Sequence, residues 1–180
     1  MTGDPSAKPL DGLRVLAHPL RLRLLSLLTG ESLSAAEAAR ALGQTQANVS
    51  YHLRRLAQAG LVDLVGETRV RGGAAKRYRH NPDSGEALGH GDPHETVALL
   101  TAVADELGRR AALAVGDSPI VFTDAEVWVS SEAWVRIQTL TRELGILIHE
   151  EASARDDGRV HLSATLAVFP LAAPGSPAAR

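Results

Sequence analysis

Residues 45–56 read TQANVSYHLRRL, and they set two faces on one helix. Val49, Leu53 and Leu56 fall at i, i+4 and i+7, an apolar stripe at helical spacing. At about 100° per residue, Ser50, Tyr51, Arg54 and Arg55 lie roughly 100 to 240° round from Val49. One side is therefore built to be buried, and the other offers a hydroxyl, a phenol and two guanidiniums without an acid beside them. Such a face suits an anionic partner.

The flanking residues turn this helix into a motif. Ser34-Ala35-Ala36-Glu37 has the S-x-x-E form of a capping box, so a helix is expected from Ala35 to Leu42, closed by Gly43. Thr45 can cap the next helix, which should run to about Ala59 before Gly60. Ala39 is small enough for two helices to cross, Gly43 permits the tight turn, and Val49 packs into the angle between them. That pattern predicts a helix-turn-helix. Upstream, a short helix around 9–17 should stop at His18, and Pro19 should open a second helix that ends at Gly30. From Leu61 the period changes: LVDLVGETRV at 61–70, a glycine turn, then AKRYRH at 75–80 read as a β-hairpin. A hairpin directly after the second helix of the motif predicts a winged helix-turn-helix.

The whole chain, 180 residues at 44% hydrophobic and 22% charged, has the balance of a globular protein. Aromatics are only 3%, so the core should be Leu, Val and Ala, which favours helix over sheet. The absence of cysteine excludes disulfides and thiolate metal or redox sites within it. No stretch is apolar enough to span a membrane and nothing suggests export, so a cytoplasmic location and no membrane partner are expected. The net charge of −2 conceals an asymmetry: residues 1–80 carry +6 and residues 81–180 carry −8. The first half has the footprint of a polyanion binder, and the second should be repelled by the same polyanion.

A helix of this kind enters the major groove of double-stranded DNA, where side chains near its N-terminal end reach base edges. Gln46, Ser50, Tyr51 and Arg54 are the candidates for base or base-adjacent contact, and Arg55, further round, for phosphate. In the wing, Arg69 and Arg71 are expected in the adjacent minor groove, with Lys76, Arg77 and Arg79 on the backbone. His52 sits beside the buried stripe and reads as structural, as does Tyr78.

The fold class expected is mainly α with small β: a winged helix-turn-helix over 9–80, a linker at 81–92, and a dimerisation or effector region at 93–169. A disordered tail at 170–180 completes the division, and the first eight residues read as a disordered lead-in. Within the second half, 93–115 reads as one long helix, with Val97, Leu100, Ala104, Leu107 and Ala111 in a stripe of small residues fit for a helical mate. Residues 121–130 and 159–168 alternate as strands around a helix capped at Ser130 or Ser131, a small strand-helix-strand unit. These last segments could extend a dimer, form a pocket for an organic effector, or bind another protein; extension of the dimer is the reading preferred.

Residues 13–80, with LAHPLR at 16–21, QTQANVSYHLRRL at 44–56, AGLV at 59–62 and YRH at 78–80, resemble the ArsR/SmtB-type bacterial repressors. The resemblance implies a homodimer paired through the first and the long helix, binding an inverted-repeat operator and releasing it when a signal binds. By that pattern Gln46, Ala47, Ser50 and Tyr51 hold the DNA-contact positions. Ala47 stands where a serine is common and Tyr51 where a histidine is. The family's metal site at the long helix is only half matched, by Asp92 and His94 with Asp105 eleven residues on. A solvated helix start, with acids favoured by the dipole, is the preferred reading there, and no metal or other cofactor is expected. The alternatives are a metal-responsive repressor using that site and a winged-helix module that docks protein. An enzyme is not expected, because the chain has no glycine-rich phosphate loop and no grouped acid/base pair.

Overall fold

The computed structural model describes residues 12–70, 73–84, 92–117, 119–154 and 158–172. Helix α1 (Gly12–Leu16) is followed by α2 (Pro19–Gly30), with His18 between them in an extended conformation, its Nδ1 accepting from the Leu20 N–H at 3.1 Å. The imidazole thus satisfies a helix-start donor that the backbone cannot. Next come β1 (Leu33–Ser34), α3 (Ala35–Leu42) and α4 (Gln46–Gln58). The capping box is complete: Ser34 Oγ accepts from Glu37 N, and Glu37 Oε2 accepts from Ser34 N at 2.8 Å. Gly43 takes the left-handed conformation (φ 62°), which a residue with a Cβ adopts only at a cost, and lets the chain turn sharply into α4. Thr45 caps α4 through the Asn48 N–H.

Strands β2 (Val62–Val70) and β3 (Gly73–His80) form the hairpin. With β1 they make an antiparallel sheet of order β1-β3-β2, in which Tyr78 pairs with Leu33 on one side and Leu64 on the other. The two-residue β1 was not anticipated. A register shift between Leu64 and Gly66 inserts Val65 as a bulge, which bends the wing.

The core is aliphatic, as the composition requires. Leu24, Leu28, Val49, Leu53 and Leu56 are fully enclosed; Val15, Leu16, Leu25, Leu33, Ala38, Ala39, Leu61 and Val62 complete the cluster. Ala39 and Val49 sit where the helices cross. Burying a leucine such as Leu53 contributes roughly 1.5–3 kcal/mol, and about a dozen such side chains hold this fold together.

Helix α5 (Pro93–Ala111) packs on α1 and α2, with Leu99 against the core and Ala102 buried. Glu106, 3% exposed, anchors it by ion pairs to Arg23 of α2 (2.9 Å), Arg109 (2.5 Å) and Arg110 (3.2 Å). Hydrogen bonds from Arg109, with those from Arg23 and Arg110, hold its carboxyl at about 2 against the opposing effect of burial. The small-residue stripe anticipated on α5 points away from this contact: Val97, Ala104, Leu107 and Ala111 are exposed.

Helix α6 (Ser131–Glu150), capped by Ser130, is present as expected, but it buries no residue. Its C-terminal end meets the wing domain, where His149 Nε2 lies 3.1 Å from His80 Nδ1. The chain just after it passes close to Gly30, where a Cβ would stand 2.6 Å from the Ser153 carbonyl oxygen, so only glycine fits. The flanking strands correct the expected strand-helix-strand unit. Residues 119–130 and 158–172 form no ladder and every one of them is exposed. Their alternation is of strand type, but a strand is completed only by a neighbour whose backbone N–H and C=O groups pair with its own, and no ladder joins these residues to one. Among the described residues no helix is long and apolar enough to cross a membrane.

Candidate nucleic-acid interface

Helix α4 presents the two faces expected of it. Val49, His52, Leu53 and Leu56 are buried, while Gln46, Ala47, Tyr51 and Arg54 are exposed and Ser50 and Arg55 half-buried. Tyr51 is 52% exposed, which is unusual for so large an aromatic and fits a side chain kept for a partner. The Arg54 guanidinium folds back, its Nε donating to the Ser50 carbonyl at 3.3 Å. This single weak bond holds it against its own helix and is easily exchanged for a better acceptor.

The wing places Arg69, Lys76 and Arg79 in solvent. Arg71 lies outside the described residues. Arg77 has another occupation: its Nη1 donates to both carboxylate oxygens of Glu37 (3.0 and 3.3 Å), its Nε to Ser32 Oγ, and its Nη2 to the Ser32 carbonyl. The guanidinium thus ties β3 to the capping box of α3. Hydrogen bonds from Ser34, and then the Arg77 guanidinium, hold the Glu37 carboxyl below the usual carboxylate range. Arg77, expected on the DNA backbone, is in this structure engaged with Ser32 and Glu37.

A neighbour that the sequence did not reveal is Arg21 at the start of α2. Burial, and then the charge of Arg55, pulls its pKa down. Its Nε is buried without a hydrogen-bond partner. Behind Tyr51, His18 and His52 stack with ring centroids 4.6 Å apart, and His52 meets Tyr51 edge to face at 5.2 Å. Burial lowers both histidines, with the charge of Arg21 adding at His18 and those of His18 and then Arg21 at His52, so they are neutral packing under the recognition helix. Leu-Ala-His-Pro-Leu-Arg at 16–21 was the available signal, because it brings a histidine and an arginine to a helix start facing α4.

The ion pairs among the described residues sort the cations into two groups. Arg23, Arg77, Arg109 and Arg110 each have a carboxylate within 4 Å. Arg14, Arg21, Arg40, Arg54, Arg55, Arg69, Lys76, Arg79 and Arg136 have none. Six of these nine lie on the first turn of α2, on α4, or on the wing, while Arg14, Arg40 and Arg136 lie on α1, α3 and α6. The wing also carries Asp63 and Glu67, opposite Arg79 and Lys76 in the ladder, so its cations outnumber its acids without excluding them, and a surface with such an excess suits a phosphate chain.

The residues of the half-matched metal site are otherwise employed or apart. Asp92 caps α5, its Oδ1 accepting from the His94 N–H at 2.7 Å. Asp105 lies about 17 Å further along the helix by its rise per residue. A cavity of about 190 Å3 between the domain and the end of α6 is lined by leucines with His80, Ser84 and His149. It is smaller than the roughly 300–1,000 Å3 of sites that take drug-sized molecules.

Comparison with known proteins adds to this geometry. Residues 16–65 match the family model for a helix-turn-helix domain. Among solved structures, the chain is similar to a possible transcriptional regulator for arsenical resistance, at 30% identity over 59% of this chain and 99% of that one, with a TM-score of 0.36. It is also similar to the homodimeric winged helix-turn-helix DNA-binding domain of a possible ArsR-family transcriptional regulator from Mycobacterium bovis. That match is 30% identical over 59% of this chain and 92% of that one, with a TM-score of 0.35. A protein from Mycobacterium tuberculosis matches at 28% identity over 61% and 99%, with a TM-score of 0.36. Nothing among the curated proteins matches. These relatives are used almost whole, which leaves about two-fifths of the present chain without a counterpart in them.

Proposed function

Since the chain belongs to the ArsR-type helix-turn-helix regulators, at 30% identity over nearly the full length of its relatives, we propose that it is a homodimeric repressor of transcription. It binds an inverted-repeat operator in the cytoplasm and has no catalytic role. The observation that carries the reading is the clustering of cations: six of the nine described cations without a carboxylate within 4 Å lie on α2's first turn, the recognition helix and the wing. Gln46, Ala47, Ser50, Tyr51 and Arg54 read base edges or stand beside them. Arg21 and Arg55 hold phosphate, and Arg69, Arg71, Lys76 and Arg79 bring the wing to the neighbouring groove and backbone. Arg77 positions that wing. The dimer is supported by the stripe Val97, Ala104, Leu107 and Ala111, exposed on a helix whose other side is already packed. The domain division proposed is a DNA-binding unit over 9–80 and an assembly region over 93–169.

The test is to incubate the purified protein with fragmented DNA of its own genome, including the region upstream of its own gene, and to sequence what it retains. A small set of fragments sharing an inverted repeat is the expected result. Retention that tracks salt alone, with no shared sequence, overturns the proposal of a sequence-specific regulator.

A further inference from the structure

The core beneath the recognition helix holds one side chain that its stability does not call for. Among the described residues four polar side chains are buried: Ser34, His52, Ser84 and Glu106. Three have plain structural duties. Ser34 caps α3, Ser84 Oγ lies 3.3 Å from His80 Nε2, and Glu106 pairs with three arginines. His52, 5% exposed, differs from them, for its Nδ1 is buried with no hydrogen-bond partner among the described residues. Leaving such a nitrogen unpaired costs stability, and an aliphatic side chain in its place incurs no such cost. What His52 does have is two ring contacts.

Those contacts join a fixed ring to an exposed one. His18 stacks on His52 with centroids 4.6 Å apart and planes at 47°. His18 is itself pinned through backbone and side chain. Its N–H donates to the Leu16 carbonyl at 2.6 Å, its carbonyl accepts from the Arg21 and Leu22 N–H groups at 3.0 and 3.2 Å, and its Nδ1 accepts from the Leu20 N–H at 3.1 Å. Tyr51, 52% exposed, meets His52 at 5.2 Å with planes at 79°, the edge-to-face arrangement that aromatic rings favour. Consecutive residues of a helix ordinarily point apart, so this contact means that the Tyr51 ring leans toward its neighbour instead of standing free in solvent. A free ring is shared among rotamers, and a partner must fix it anew on binding.

We infer that His52, held in turn by His18, is a positioning residue that fixes the Tyr51 ring for its contact with the base pairs. A buried imidazole that meets no DNA thereby takes part in sequence choice. The inference rests on the reading of Tyr51 as a base or base-adjacent contact and adds what holds it in place.

The experiment uses the full chain and the operator recovered from the genomic fragments, together with operators substituted at one base pair at a time. Affinities are measured for Tyr51→Ala, His52→Leu, His52→Phe and the double variant of Tyr51→Ala with His52→Leu. His52→Leu is expected to lose about 3- to 10-fold in discrimination, at the same base pairs as Tyr51→Ala, with its salt slope unchanged. The double variant should do no worse than Tyr51→Ala alone, and His52→Phe, which keeps a ring, should stay within about twofold of the wild type. Losses that add in the double variant, or that spread evenly over every base pair, overturn the inference, because His52 then only supports the helix. So does a His52→Phe variant as impaired as His52→Leu. Where His52→Leu does not fold, His52→Gln, polar and without a ring, takes its place with the same outcomes expected. Unchanged discrimination in Tyr51→Ala, with the operator still bound, overturns the inference and leaves the regulator standing. Fragments retained without a shared sequence overturn both.

Discussion

The two ends of this molecule use the same aliphatic alphabet to opposite effect. From α1 to the wing, leucines and valines at helical spacing converge on one cluster that a single chain encloses completely. Beyond Leu113, leucines, valines and Trp128 at equally regular spacing leave no described residue fully buried. Pattern therefore specifies which face of an element is to be buried, and topology decides whether the same chain can do it. In the first region each element is followed by a turn that folds it back: Gly43 between α3 and α4, Gly60 after α4, the hairpin loop after β2. In the second, residues that form no ladder run straight into a 20-residue helix.

The contrast breaks most easily at the core. Leu53→Ala is expected to cost about 3–4 kcal/mol in the unfolding of the winged helix, the transfer term plus a cavity that the packed helices cannot refill. Leu144→Ala on α6, 44% exposed, should change the melting of that domain by less than about 0.5 kcal/mol and weaken the dimer instead. Equal losses in denaturant melts of the monomer at low concentration would show that the C-terminal region is a core of the ordinary kind.

A second effect comes from the seam between the regions. His80 closes the wing, with Thr29 Oγ1 at 3.0 Å and the α6 residue His149 at 3.1 Å. Burial, then the neighbouring His149, lowers it to about 4 from an ordinary value of 6.5. The unfolded chain takes up the proton near pH 6.5 and the native one only near pH 4, so the native state binds fewer protons between those values. Its stability is complete above about pH 6.5 and falls as the pH drops toward 4, by about 2–3 kcal/mol for this group. His18 and His52, also lowered, act in the same sense. Urea melts from pH 7 to 4 would register the slope, and His80→Gln should flatten it.

Glu106 sharpens the comparison from the side of α5. It holds three guanidiniums from a nearly closed position, so Glu106→Gln leaves them facing a neutral amide. A loss of about 2 kcal/mol is expected, below the 3–5 kcal/mol of a fully buried pair because the arginines retain access to water. Its carboxyl, ordinarily at 4.5 and here at about 2, contributes stability that is complete above pH 4.5 and lost as the pH falls through 2. A variant as stable as the wild type at pH 7 would mean that packing at Leu99 and Ala102, not this cluster, keeps α5 in place.

What could be read from the sequence follows the same line. Local rules reached the capping box, Gly43, the Thr45 cap and the two faces of α4, because each depends on residues within a turn or two of one another. The two-residue β1 escaped, since no alternation shows in two positions and its partner Tyr78 is 45 residues away. The Glu106 cluster spans 83 positions to Arg23 and escaped for the same reason. The alternation of 121–129 and 160–168 was legible, but no ladder joins these residues in the structure, so alternation alone did not make them strands. Arg77 shows the limit most plainly: sequence records a charge on the wing, and only the fold records that Glu37 and Ser32 already hold it.

That difference between Arg77 and its neighbour supplies the smallest and most discriminating effect. Arg79→Ala removes an exposed cation that forms no ion pair within 4 Å, although Asp63 stands opposite it in the ladder, so the stability of the protein should change little while the slope of log affinity against log salt flattens by about one. Arg77→Ala should instead lower stability by about 1 kcal/mol, through loss of a partly exposed ion pair and its bonds to Ser32. Its salt slope should stay as it is, and its affinity should fall at every salt concentration alike, because a wing freed from α3 must be ordered again on binding. Melts and binding isotherms at four salt concentrations separate the two variants. A slope that flattens equally in both would mean that Arg77 leaves Glu37 when DNA arrives, and that the capping box of α3 is part of the binding equilibrium.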